Sequence, residues 1–216
     1  MHNALTEVLD GFGTEIAPGG FATFSDFAKA ENADIHHSAV PAAVTAFATI
    51  SPAFARGRFP DLSLADVVLK RNDMDYCEAA ALAAVCGQRI SPWRDAAQFI
   101  VHLHKVIDRY DLNSFYGHYP EHPANFGNDI RPHGVDWDSH EVNDDAIRVW
   151  RDAYKRLSPA RQMIVATIMW LYVGSNNCFW LKHLPNKWHA ADAIKLMKSA
   201  GVLGDWATLV ALYPGW

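Results

Sequence analysis

The chain has 216 residues, half of them hydrophobic and a fifth charged, with a formal net charge of −5. That length suits one domain with a sizeable core, and the composition excludes a disordered chain, which pairs low hydrophobicity with high charge. With 19 Lys+Arg against 24 Asp+Glu, no broad basic field exists for a phosphate backbone, so nucleic acid is not an expected partner.

In chain order, residues 1–35 have no clear helical period and read as an irregular N-terminal arm. Pro18-Gly19-Gly20 is a turn whose flanks are either irregular or a short hairpin. The opening MHNALTEVLDGFG lacks a basic stretch leading into an apolar one, so no secretory leader is expected, and the default location is the cytoplasm. From there the pattern is helical. Ser51-Pro52, Ser91-Pro92 and Ser158-Pro159 each place an N-cap oxygen before a proline at the first helical position, where the missing N–H costs nothing. The second pair opens a helix over 92–110 and the third a helix over 160–173. Ser63 and Asp73 can cap helices over 64–71 and 74–86. Asn143 caps 146–157, with Asp144 and Asp145 in the first turn, where the helix dipole favours acids. Asn186 opens 187–200, Gly201 stands at its left-handed C′ position, and Asp205 starts a last helix to Tyr213.

No segment alternates with period two between hairpin signals. The expectation is therefore an all-α single domain over 1–216, a bundle of six to eight helices with one long irregular loop. Residues 160–173 are apolar on every side and should form the buried central helix. Their apolar run is about half the ~20 residues that span a bilayer, so no membrane segment is expected. Residues 111–141, rich in Gly, Pro, Asn, His and aromatics, have no helical period. Loops this long are uncommon in compact domains, and this one reads as a lid or as an arm contacting another subunit. Cys77, Cys86 and Cys178 are an odd number without a Cys-x-x-Cys, which excludes a disulfide framework and a zinc knuckle.

Eleven histidines and eight tryptophans invite a search for chemistry. His102 and His104 point about 200° apart on a helix and cannot share a metal there. His102 falls on a solvated stripe. His104 faces the core, with Asp108 one turn on, so this pair is either an oriented base, two metal ligands, or a neutralised core-edge histidine. No Glu-x-x-His or His-Glu-x-x-His occurs. A divalent metal would need scattered ligands such as His104, Asp108, His118 and His122, and no other cofactor is implied. After the central helix, Gly174-Ser175-Asn176-Asn177 breaks or kinks the chain. A helix through the following stretch puts Asn176, Trp180 and His183 on one face, at i, i+4 and i+7. An amide, an indole and an imidazole together make either a site or a polar knot at a kink. Cys178, near a helix start, would have a favoured thiolate.

The pieces Trp150, Leu157-Ser158-Pro159-Ala160-Arg161, the apolar run 163–173, Cys178-Phe179-Trp180-Leu181-Lys182-His183 and Ser199-Ala200-Gly201-Val202 resemble the carboxymuconolactone decarboxylase/AhpD-like family over roughly residues 146–212. The resemblance implies an all-helical homo-oligomer with His183 in a pocket near a subunit contact. The Cys-x-x-Cys of the family's redox members is absent, and Phe179 stands where decarboxylase-type members carry an acid, so only Trp180 and His183 carry over.

The residues together point first to a soluble enzyme acting on a small apolar or aromatic molecule. His183 would be its general acid/base, Asn176 or Asn177 would orient the substrate, and Trp170, Trp180, Trp188 and Cys178 would form the pocket. A metal-dependent enzyme and a non-catalytic helical binding protein whose aromatic loop docks a partner are the rival readings.

Overall fold

The structure is a computed structural model that describes residues 14–17, 21–24, 40–90, 95–118 and 130–215. Nine α-helices and two small antiparallel strand pairs make up the described residues. The first pair, β1 (Thr14–Ala17) and β2 (Phe21–Phe24), aligns Thr14 with Phe24 in antiparallel register. The flanks of Pro18-Gly19-Gly20 thus pair as short strands.

Helices α1 (Val40–Ile50), α2 (Pro52–Arg58), α3 (Leu64–Leu69) and α4 (Tyr76–Val85) follow, with a 3₁₀ turn over Lys70–Asp73 before α4. Ser63 caps α3 in a full capping box. Its hydroxyl accepts from the Asp66 N–H at 3.2 Å while the Asp66 carboxylate accepts from the Ser63 N–H at 2.9 Å. Such caps contribute about 1 kcal/mol. α4 is capped by Asp75, not by Asp73, because the 3₁₀ turn absorbs Asp73 and only Asp75 has a glutamate three residues on to complete the box. α5 (Ala96–Arg109) is capped by Asp95 and not by Ser91, which with Pro92 lies outside the described residues, and α6 (Asp144–Arg156) is capped by Asn143 as expected. Ser51 and Ser158 precede a proline in the first turn of α2 and of α7 (Pro159–Val173), but neither hydroxyl makes a capping bond. α8 (Ala190–Ser199) and α9 (Leu203–Leu212) close the chain, separated by Gly201 at φ +72°.

α7 is the buried central helix. Met163 to Leu171 are buried without a break, and α3, α6, α8 and α9 all pack on it. Its polar neighbours are satisfied: the Trp206 indole donates to Thr167 Oγ1 at 3.0 Å, and the hydroxyls of Tyr116 and Tyr213 donate to the carbonyls of Val165 and Leu171. Among the described residues no helix is long and apolar enough to cross a membrane.

The 111–141 connection is less irregular than its sequence suggests. Its described parts carry β3 (Tyr116–His118) paired with β4 (Ile130–Pro132) and a bridge between Val135 and Val142. Phe115 and Tyr116 are buried, and three indoles are tied to this connection. Trp150 donates to the Phe115 carbonyl at 3.2 Å, Trp180 to that of His133 at 2.7 Å, and Trp137 to that of Pro132 at 3.1 Å. Strands this short carry too few residues for an alternation to be read. Gly134, at φ +105°, lets the chain turn against α6, where a Cβ would stand 2.3 Å from Ile147 Cδ1.

Candidate functional site

Downstream of α7 the structure departs most from the sequence reading. Gly174 ends the helix in the left-handed conformation, at φ +67°, and residues 175–189 run as turns and extended chain, not as a second helix. Burial rather than helical spacing orders the side chains. Cys178, Trp180, Leu181 and Leu184 are buried, whereas Asn176, Asn177, Phe179, Lys182 and His183 are exposed. The common face expected of Asn176, Trp180 and His183 does not form. Trp180 is an anchor whose indole is spent on the His133 carbonyl. His183 sits at φ +63° in a concavity beside α6.

Cys178 is buried with no helix start beside it. Burial pushes its thiol up, and the N–H groups of Leu181 and Trp180 only partly offset this. The expected thiolate is therefore disfavoured. Cys86 is also shielded, its thiol pushed up to about 12 by burial.

Asn176, Asn177, Trp170 and Trp188 do come together. They line a cleft of about 680 Å³ with Asp61 of the α2–α3 connection, Asp66 of α3, Lys187 and His189. The cleft forms because two stretches more than 120 residues apart pair. Leu64 N–H donates to the Trp188 carbonyl at 2.9 Å, Ala190 N–H donates to that of Leu62 at 2.8 Å, and Ser63 bridges His189. This lateral pairing delays α8, which begins at Ala190 capped by His189 and not after Asn186.

The Trp170 and Trp188 rings meet edge to face at 6.4 Å between centroids and 71°, a favoured arrangement for aromatic pairs. Trp170 is 1% exposed. Its buried indole N–H has no acceptor among the described residues, a state that costs about 1–3 kcal/mol. His189 is fully engaged. Its Nδ1 accepts from Ala191 N–H at 3.2 Å, and its Nε2 lies 2.9 and 3.1 Å from the carbonyls of Phe59 and Pro60. Carbonyls only accept, so Nε2 holds the proton and the ring is a structural cap. The Asp66 carboxylate is committed to the α3 cap. Asp61, Lys187, Asn176 and Asn177 are exposed.

Among the metal candidates, His104 does not use its sequence neighbour. Its ring meets that of His118 at 5.5 Å between centroids, while Asp108 is exposed one turn on and His122 lies outside the described residues. Among the described residues no group of three or more His, Cys, Asp or Glu could hold a metal. His102 is not on a solvated face. Its Nε2 meets the Asp205 carbonyl at 3.1 Å, and burial lowers its pKa. Sequence reasoning missed Asp61, Lys187 and His189 as cleft residues, because only the long-range pairing of 62–64 with 188–190 brings them there. No family model, curated protein or solved structure matches this chain.

Proposed function

We propose that this chain binds a small, planar organic molecule carrying an acceptor oxygen in the cleft walled by Trp170 and Trp188. The observation that carries this reading is the Trp170 indole N–H, buried and without an acceptor among the described residues, in a residue that lines the cleft. A ligand oxygen that displaces the atoms covering this N–H would recover that hydrogen bond, and the two indoles supply apolar, aromatic wall of the kind that holds small ligands. Asn176 and Asn177 add amide donors and acceptors at the rim.

Binding is favoured over His acid/base catalysis because the cleft's histidine, His189, has both ring nitrogens engaged. His183, the general acid/base of the enzyme reading, lines a different concavity.

The test is an NMR titration of the isotope-labelled chain with benzoate, nicotinate and indole-3-acetate, read at the tryptophan indole N–H resonances. At least one probe is expected to move the Trp170 signal saturably, and Trp188→Ala to weaken that probe roughly tenfold, the worth of one aromatic wall. Indole signals unmoved by all three probes would overturn the reading.

A further inference from the structure

The connection after α7 also builds a second concavity, of about 310 Å³, against α6. Its walls carry Arg148, Arg151, Lys155, Lys182 and His183, with Asp152 the single carboxylate among the lining residues. The positions of Arg148, Arg151 and Lys155, at i, i+3 and i+7, place them on one face of α6. Lys182 and His183 arrive from the connection because Trp180, Leu181 and Leu184 are buried beneath them.

The local charge is far from balanced. Arg148 pairs with Asp145 at 2.9 Å and Lys155 with Asp152 at 3.0 Å, but both pairs are exposed and so are weak and readily exchanged. Arg151 has no carboxylate partner among the described residues. Its Nε donates to the Trp180 carbonyl at 3.2 Å and its Nη2 to that of Phe179. Neutral carbonyls thus hold the guanidinium in place while its charge stays uncompensated. The side chains of Lys182 and His183 make no hydrogen bond or ion pair among the described residues and are exposed. Four permanent cations against two carboxylates, Asp152 in the lining and Asp145 paired with Arg148, in a chain of net charge −5, concentrate positive potential in a concave site, which draws anions.

We propose that this concavity is a binding site for the phosphoryl group of a small molecule, separate from the tryptophan cleft. A guanidinium already fixed by two carbonyls presents its remaining N–H donors in a rigid fork that suits phosphate oxygens, and the neighbouring lysines add mobile point charges. Nothing in this assignment depends on the cleft being occupied.

The experiment titrates pyrophosphate, inorganic phosphate and citrate into the labelled full chain at low ionic strength, reading the Arg151 side-chain N–H and His183 ring resonances. Pyrophosphate should move both saturably and more tightly than citrate. Lys182→Glu should weaken it by roughly tenfold or more, through loss of one charge-assisted contact and gain of a repulsive one. The melting temperature should hold, since the Lys182 side chain has no hydrogen-bond or ion-pair partner among the described residues to lose. Trp188→Ala should leave pyrophosphate binding unchanged. Non-saturable shifts, an unchanged affinity in Lys182→Glu, or citrate binding as tightly as pyrophosphate would each overturn the assignment.

Discussion

The tryptophan cleft and the cationic concavity are both built from the same sixteen-residue connection, 174–189, yet their chemistry is opposite. In the cleft, the polar groups of Asp66, His189 and Asn186 are bound to the chain's own backbone or caps, and the indoles form the wall. In the concavity the fold ties Arg151 to two carbonyls and Arg148 and Lys155 to exposed carboxylates, and leaves Lys182 and His183 unpartnered among the described residues. The difference follows from where the connection is anchored. At 186–190 its backbone pairs with the α2–α3 turn, which consumes polar groups. At 178–184 it is held by buried side chains, which leaves the intervening residues facing water. One irregular connection can thus present two unlike surfaces without regular secondary structure.

Trp180→Ala tests this shared anchoring most severely. It removes a side chain that is 3% exposed and whose indole donates to His133, so a loss of about 3–5 kcal/mol is expected in urea unfolding. At temperatures where the variant stays folded, binding of the aromatic probes and of pyrophosphate should weaken together. If one site survives intact, the two are not held by a common anchor.

Gly134→Ala is the next largest perturbation, and it enters from the other side of that anchor. Alanine at φ +105° is strained and its Cβ collides with Ile147, so roughly 1–3 kcal/mol should be lost. Because the Trp180 indole is bonded next door, at the His133 carbonyl, the Trp180 indole resonance should shift while the Trp170 signal holds. Movement of both would mean that the cleft is not insulated from the 130–137 segment.

The smallest effect is also the most selective. His183 has a left-handed backbone, at φ +63°, which a non-glycine residue adopts at a cost of ~1–2 kcal/mol. His183→Gly should therefore keep or slightly raise the melting temperature, weaken pyrophosphate severalfold, and leave the aromatic probes unaffected. A variant that loses stability would show that the imidazole supports the fold instead of the concavity.

Local signals in the sequence were sufficient wherever short-range chemistry decides. The Ser63 and Asn143 caps, the glycine stops and the apolar character of 163–173 are set by residues within one or two helical turns and appear where those residues place them, whereas Asp73, Ser51 and Ser158 make no cap. The same reasoning extended a helical face through 176–183. It failed there because Gly174 lets the chain leave the helix and backbone donors near 188–190 find partners on the α2–α3 turn instead. Asn176 and Asn177 still fall in a cleft with Trp170 and Trp188, but by long-range pairing, not by helical spacing.

By itself, then, the sequence determined the helical class, most helix ends and the buried central helix, since propensity, caps and hydrophobic period act over a few residues. Tertiary structure alone decided which polar groups remain available for a ligand. Trp180 looks like a site residue until the His133 carbonyl occupies its indole, and His189, brought to the cleft by long-range pairing, is taken up by the Phe59 and Pro60 carbonyls. Arg151 looks like an ordinary surface residue until the Phe179 and Trp180 carbonyls hold it among other cations. A hydrogen bond's partner can lie anywhere along the chain, so availability is a property of the folded contacts.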